Sequence, residues 1–432
     1  MKFGRLALLL LPSAQALSAT PSLTLEQQLQ ALMAEVRQLR GEVQQLRAER
    51  RAPVTTVDLA ATEVAPSALA RVPPQANTHV LAKPWWHNIE FSGFAAAGAY
   101  HTGKDATRAE GGFEIKEASL FVAASVWEDT DLFLELQTNR LGKDDSLLVR
   151  TGEVYIHLRN LALGQHRLGL KLGRIDLPFG EEYLWQDAHQ NPLITNSAAY
   201  PYGWDEGLLV YGDFNQWHWI FAVTDGTDQR SFEDHADKAF NLKVYGEPTP
   251  NLYLSASAMQ NGAAGKSAIE FGGSHFESVA DSPRVDAQLF EVDAKLTFQW
   301  GERDGYLAAA LGAAKQDDPL ADLDRDLRWL SIEPYLRLAP HWYTALRYSE
   351  IGTYDSRAGF HFDGKTFAGG NSAFGFDVQR FRRLGLGVGW TPHPRLTAKL
   401  EVGHDWFDLI ETSNRRDGNS RHFIGAEMAV GF

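Results

Sequence analysis

Charged and apolar residues alternate one by one along several stretches of this chain. The clearest stretch runs from Phe290 to Trp300, where apolar residues alternate with Glu291, Asp293 and Lys295 and then with polar residues. In an extended strand, this period of two places every charged side chain on one face. Cations gathered on such a face attract anions, and carboxylates opposite them would create an electric field between the two groups. The sequence therefore predicts that the charged face carries the residues that interact with ions.

The same alternation identifies candidate residues along the rest of the chain. The basic candidates are Arg159, Arg167, Lys171, Lys243, Lys295, Arg337, Arg347, Arg383 and Lys399. Arg174 is added from the end of the stretch that contains Lys171. The acidic residues on this face are Glu135, Glu153, Glu291, Asp293, Glu333, Glu401 and Glu427. The two sets nearly balance, so the face alone predicts a weak preference between cations and anions.

One long connection, from Asp176 to Asp205, carries a second set of candidates. Its carboxylates come from Glu181, Glu182 and Asp187, among proline and aromatic residues. If this loop folds inward, we expect its carboxylates to face wall cations such as Arg347, Arg383 and Lys399 across a narrowed opening. The alternative is a loop that packs outside against neighbouring loops.

The connections between the alternating stretches are short and long in turn. The short ones are Trp127 to Asp131, Gly212 to Gln216, Gly246 to Asn251, Ala339 to His341 and Thr391 to Pro394. This alternation is typical of bacterial outer-membrane barrels, and a soluble sandwich has no reason to follow it. The sequence predicts an all-β fold, a transmembrane antiparallel β-barrel of about 16 strands over residues 85–432, preceded by a short N-terminal coiled-coil helix.

Three segments precede the barrel region. Residues 1–16 contain two cations, a leucine-rich run and Ala-Gln-Ala, the pattern of a cleaved bacterial signal peptide. Residues 22–50 carry Leu and Val at steps of four and three, which predicts a periplasmic coiled coil that associates with copies of itself. A single amphipathic helix lying on the barrel is the alternative. Residues 51–84, rich in Ala, Thr, Val and Pro, are predicted to be a periplasmic linker.

Composition and missing motifs exclude several classes of function. The net charge of −14 argues against nucleic-acid binding, which needs a basic surface. The chain has no cysteine and none of the motifs of serine hydrolases, zinc proteases or phosphate-binding loops. The acidic run around Asp322, Asp324 and Asp326 has Leu327 where a calcium loop needs glycine. The sequence therefore predicts no enzymatic activity, no cofactor and no metal ion.

The stretch from Leu170 to Glu181 reads LKLGRIDLPFGE, a strand that runs into a Pro-Phe-Gly turn. Together with the N-terminal segments, the alternating region and the terminal Phe432, it resembles the phosphate-selective porin O and P family. The resemblance implies a homotrimer of barrels in the Gram-negative outer membrane, in contact with lipid and lipopolysaccharide. It implies inward-folded loops that narrow each pore, and passive diffusion of small hydrophilic solutes, in particular anions such as phosphate.

Two other functions stay open at this point. A general pore, or one that admits cations or sugars, fits the balanced charges of the predicted inner face. A structural envelope protein fits the N-terminal segments, since its coiled coil would tether the outer membrane to the cell wall while its barrel is plugged. Ion conductance distinguishes the two classes.

Overall fold

The computed structural model describes residues 88–102, 111–140, 147–163, 166–185, 187–227, 236–264, 266–271, 274–277, 285–317, 324–354, 360–362, 376–409 and 420–432. The predicted signal peptide, coiled coil and linker lie outside the described residues. Within the described ranges, no helix combines the length and apolar character needed to cross a membrane.

Sixteen antiparallel strands close into a barrel in this part of the chain, which confirms the predicted fold class. The barrel strands are β1 (Ile89–Thr102), β2 (Gly112–Trp127), β3 (Thr130–Arg140), β4 (Leu147–Leu163), β5 (His166–Asp176), β7 (Trp204–Phe214), β8 (Trp217–Thr224), β9 (Ala239–Thr249), β10 (Leu252–Ala264), β13 (Val285–Trp300), β14 (Arg303–Asp317), β15 (Arg325–Ala339), β16 (Trp342–Thr353), β18 (Phe376–His393), β19 (Leu396–Leu409) and β20 (Ser420–Gly431). The other elements are β6 (Pro201–Tyr202), β11 (Lys266–Phe271), β12 (Ser274–Glu277), β17 (Phe360–Phe362) and the helix α1 (Glu182–Trp185).

The barrel is sealed where its first and last strands meet. Strand β1 pairs antiparallel with β20, from Phe94 opposite Gly431 to Thr102 opposite Phe423. Beyond the last rung, the Phe432 N–H donates to the Gly93 carbonyl at 2.9 Å. Closure leaves no unpaired strand edge along this seam.

Among the described strands, the ends joined by short connections lie at one end of the barrel and the ends joined by long connections lie at the other, as the sequence predicts. We call these the short-turn end and the long-loop end. Two of the short turns use residues with positive φ, Asp129 at 58° and Asn215 at 55°. A third uses Gly301 at 65°. Turns of this handedness match the twist of antiparallel strands, so the chain reverses with few residues.

The two faces of the wall differ as the alternation predicts. On β20, Met428 and Val430 point outward and are 56% and 43% exposed, whereas the alternating Glu427 and Ala429 are buried in the interior. The same order recurs on β19, where Leu400 and Val402 lie outside. An apolar outer band with a polar interior is the reverse of a soluble protein and is the arrangement that a lipid environment stabilises.

The interior of the barrel is filled in part by chain that leaves the wall. Residues 177–203, which connect β5 to β7, contain α1 and β6, and β6 pairs with β11 from the connection between β10 and β13. Phe179 from this connection and Ile269 from β11 pack with Trp329 of the wall in one buried apolar cluster. The indole of Trp329 occupies the space over Gly312, where a Cβ atom would overlap the ring. A side chain at Gly312 would displace this indole.

The outward face can be tested through Leu400 on β19, which is 52% exposed. We expect Leu400→Arg to lower the free energy of unfolding of the barrel refolded in phospholipid vesicles by about 2–4 kcal/mol, because the charge enters hydrocarbon. Asn251→Arg in an exposed short turn is the control and should cost far less. The measurement is a urea titration followed by tryptophan fluorescence. Equal costs for the two variants would contradict a lipid-facing outer band.

Candidate functional site

Residues 177–203, the inner loop, fold into the barrel and contact the wall on several strands. The Gly180 N–H donates to Ser257 on β10, and the Ala198 N–H donates to Ser349 on β16. The Tyr343 hydroxyl donates to the Pro192 carbonyl at 3.2 Å. These partners lie on the inner face of the wall, so the loop crosses the interior and does not pack outside.

Arg347 on β16 holds the middle of the inner loop. Its guanidinium is 2% exposed and donates to the Glu333 carboxylate on β15, with Nε at 2.7 Å from Oε2. It also donates to the Thr195 carbonyl at 2.7 Å and to Asn191 Oδ1 at 3.1 Å, and it lies 3.5 Å from Glu182. A buried guanidinium needs such a set of acceptors to offset its desolvation. Arg347 thus joins two wall strands and the inner loop.

Strand β19 holds the same part of the inner loop from the neighbouring side. Lys399 Nζ binds Glu427 at 2.6 Å and donates to the carbonyls of Ala188 and Leu193. Glu401 accepts hydrogen bonds from the backbone N–H groups of Ile194 and Thr195 at 2.6 and 2.8 Å. Cation and carboxylate therefore bind loop carbonyls and loop amides respectively, which fixes the loop in one register.

The beginning of the inner loop is bound on the opposite wall. Lys243 on β9 pairs with Glu181 at 2.8 Å and donates to the Gly180 carbonyl at 2.6 Å. The Tyr253 hydroxyl on β10 donates to the same carboxylate at 2.6 Å. Gly180 has φ of +67°, and a Cβ atom there would meet Glu291 at 2.5 Å. Glycine is therefore required for the turn that brings Glu181 to Lys243.

A third ion-paired group lies on β18, β19 and β20. Asp405 accepts from Arg383 at 2.8 and 3.0 Å and from Arg421 at 3.0 Å. Arg383 also donates to the Asn196 carbonyl of the inner loop at 3.2 Å.

The Tyr200 side chain of the loop is enclosed as well, and burial raises its pKa well above the usual range. Its hydroxyl therefore stays neutral.

The structure brings six of the sequence-predicted residues together at the inner loop, namely Lys243, Arg347, Arg383, Lys399, Glu181 and Glu182. The wall cations contact the loop directly instead of facing its carboxylates across a gap. Asp187 lies in the loop, where its backbone carbonyl accepts the N–H groups of Gln190 and Asn191. These residues anchor the loop.

The other basic candidates lie away from these contacts. Arg159 pairs with Asp131 at 2.9 Å on the inner face. Arg167 donates to Asn160 near a short turn. Lys171, Lys295 and Arg337 lie on the inner face toward the short-turn end.

Arg174 requires a correction. It lies two residues beyond the outward-facing Leu172, so it is on the outer face, where it pairs with the exposed Glu206 at 3.0 Å. The period of two along β5 puts Lys171 and Arg174 on opposite faces of the wall. Arg174 is therefore not a lining residue of the interior.

Sequence reasoning missed two cations that hold this region. Lys116 Nζ donates to the Ile194 carbonyl at 2.5 Å and lies 3.6 Å from Glu427. It lies where the pairing of β1 with β2 shifts between Ala96 and Ala97, so the period of two breaks there and hides its direction. Arg421 is an even number of residues from Glu427 on β20, so the period of two puts both side chains on the inner face. This spacing could have identified Arg421 from the sequence.

Comparisons with known proteins identify the fold. No protein-family model matches the chain, and no curated protein matches it in sequence. Among solved structures it is similar to OprB of Pseudomonas putida, with 10% identity, a TM-score of 0.52, and coverage of 80% of this chain and 94% of that chain. The outer membrane channel DcaP of Acinetobacter baumannii gives 10% identity, a TM-score of 0.51, and coverage of 80% and 97%.

In-vitro folded OmpT, an outer membrane protein of Vibrio cholerae, gives 12% identity, a TM-score of 0.51, and coverage of 80% of this chain and 97% of that chain. Identities of this size show a shared fold and nothing finer. The chain therefore has the closed sixteen-strand barrel fold of outer-membrane β-barrel proteins.

Proposed function

We propose that this protein is a non-enzymatic outer-membrane porin, a passive channel for small hydrophilic solutes. The observation that carries the proposal is a barrel of sixteen strands with an apolar outer band and a charged interior, crossed by an anchored loop. Barrels of this strand number are wide enough to leave an aqueous channel after side chains fill the wall. The inner loop then limits the size of the solutes that pass.

The proposal also includes the orientation of the barrel in the membrane, its oligomeric state and its solutes. The short-turn end faces the periplasm, where we also place the predicted coiled coil and linker after cleavage of the signal peptide. We propose a homotrimer within outer-membrane lipid and lipopolysaccharide, as the family resemblance implies. The solutes are small anions, phosphate among them. Support for anions comes from Lys171, Lys295 and Arg337, which have no carboxylate oxygen within 4 Å in the described part of the chain.

A second function has support from the packing of the interior. Two buried apolar clusters lie inside the barrel, one around Phe179 and Trp329 and the other around Phe94 and Phe133. A structural envelope protein with a plugged barrel would have such a filled interior. Conductance separates this alternative from the porin.

We expect the refolded full chain to produce steady current steps in planar bilayers in KCl, because water and ions would fill the charged part of the interior. In a KCl gradient, the reversal potential should show a weak anion preference, since Lys171, Lys295 and Arg337 on the inner face have no carboxylate oxygen within 4 Å in the described part of the chain. Far-UV circular dichroism confirms that the barrel has folded. A folded barrel that carries no current would refute the channel and support the structural alternative.

Removal of the Arg347 guanidinium should widen the pore. Arg347→Met leaves Glu333 and Glu182 buried without their cation, so docking of the inner loop should weaken by about 3–5 kcal/mol and single-channel conductance should rise. Arg174→Met on the outer face is the matched control and should leave conductance unchanged. The double variant Arg347→Met with Glu333→Gln should recover part of the loop docking. Equal conductance for Arg347→Met and the unaltered protein would show that the loop does not limit the current.

A further inference from the structure

The inner wall near the short-turn end carries an arc of aromatic side chains, of which Tyr253 and Tyr343 also contribute hydroxyl groups to the anchoring of the loop. Its members, which we call the ring arc, are His218, Tyr245, Tyr253, Trp185, Tyr306, Tyr335 and Tyr343. Neighbouring ring centroids within the arc are 4.7 to 6.1 Å apart wherever two rings meet. All but Tyr343 are partly exposed. The arc passes from β8 to β16, with α1 of the inner loop at its centre.

Lys295 on β13 completes the arc between Trp185 and Tyr306. Its Nζ lies 4.4 Å from the centroid of the Tyr306 ring and 5.3 Å from that of the Trp185 ring. Among the described residues, this ammonium has neither a carboxylate oxygen within 4 Å nor a hydrogen-bond acceptor. Arg337 lies directly opposite Tyr343 in the pairing of β15 with β16 and donates to the Pro340 carbonyl.

Four carboxylates near the ring arc already have partners, whereas Asp293 Oδ2, two residues before Lys295 on the same face, has no hydrogen bond in the described part of the chain. Glu181 binds Lys243 and Tyr253, and Glu333 binds Arg347 and Tyr306. Asp213, at the end of the arc, binds His218 at 2.5 Å. Asp304 accepts from Gln299 at 3.2 Å beside a short turn. The cationic donors Lys295 and Arg337 are thus the groups of this surface that keep capacity for an anion.

The buried indole Nε1 of Trp185 is a further donor without an acceptor in the described part of the chain. Buried donors are nearly always satisfied in folded proteins, so a group that has no partner points to a ligand or to water. Trp185 is next to Lys295, so both donors can bind a ligand in the same small region of the interior.

A repeat of the same combination lies on β4 and β5, which β7 separates from the β8 end of the arc. Lys171 Nζ is 4.2 Å from the centroid of the Tyr155 ring, and it too has no carboxylate oxygen within 4 Å among the described residues. Nearby, the Tyr211 hydroxyl and His157 share a hydrogen bond of 2.7 Å. Lys171 and Lys295 thus each lie beside a ring without a carboxylate oxygen within 4 Å, whereas the cations that hold the inner loop are paired with carboxylates or carbonyls.

We propose that the ring arc around Lys295 binds small organic anions that carry a flat ring, such as aromatic carboxylates, and that it favours them among permeating solutes. The proposal rests on the porin function but reaches beyond it by naming the solute class. Inorganic phosphate would use the cations alone, whereas an aromatic carboxylate would use the ammonium and would also pack its ring against Tyr306 and Tyr335.

The test compares benzoate with acetate, which has the same carboxylate without a ring, and with inorganic phosphate. Binding to the full chain refolded in detergent is measured by titration calorimetry, and block of the KCl current is measured in planar bilayers. We expect benzoate to bind at least about tenfold more tightly than acetate or phosphate. Lys295→Met should weaken benzoate binding about tenfold through loss of a charged hydrogen bond. Arg174→Met on the outer face should change nothing.

Tyr335→Ala keeps Lys295. Tyr335 packs on Tyr343, whose hydroxyl binds Pro192 of the inner loop, so an unchanged single-channel conductance of this variant is the check that the loop has stayed in place. The variant should reduce benzoate binding toward that of acetate and leave acetate binding unchanged. Equal affinities for benzoate and acetate, or equal benzoate affinities for the Lys295→Met variant and the unaltered protein, would overturn the proposal. A barrel that conducts but does not distinguish benzoate from acetate refutes the ring arc alone. A barrel that binds benzoate but carries no current refutes the channel alone.

Discussion

Satisfaction of the backbone hydrogen bonds is the constraint on which the rest of this structure depends. A strand in hydrocarbon finds no water for its N–H and C=O groups, so it needs a bonded neighbour on each side. Sixteen strands meet this need only because β20 returns to β1, with Phe432 bonded to Gly93 past the last rung. Once the sheet is closed, every strand has a lipid face and an interior face, and the period of two in the sequence follows from that division.

The closed wall also creates the need for the inner loop contacts. A wall of this size encloses charged side chains that a plain sheet would leave in water, and a buried charge without a partner is costly. Arg347 and Lys399 meet this need with carboxylates of the wall and with backbone carbonyls of the loop. The network therefore does two things at once, since it neutralises the wall and holds the loop across the interior. Stability of the loop and width of the opening are coupled through the same ion pairs.

Most of the fold could be predicted from local sequence because its signals are local. Alternation over a few residues determines the face of each side chain, and the lengths of the connections determine which end of the barrel they belong to. Where the local rule fails, the error is local as well. Lys116 was missed because a bulge shifts the register, and Arg174 was misplaced because it is an odd number of residues from Lys171.

The site was less predictable because its contacts join parts of the chain that are far apart. Arg347 binds the carbonyl of Thr195 across a separation of 152 residues, and no periodicity shows which wall cation meets the loop. The alternation predicted that Arg347 and Lys295 both lie on the inner face and did not distinguish them. In the structure Arg347 binds a carboxylate, whereas Lys295 lies beside two aromatic rings. The pairing of each cation therefore depends on contacts between neighbouring wall strands and on the folded loop together, and the alternation of residues contains neither.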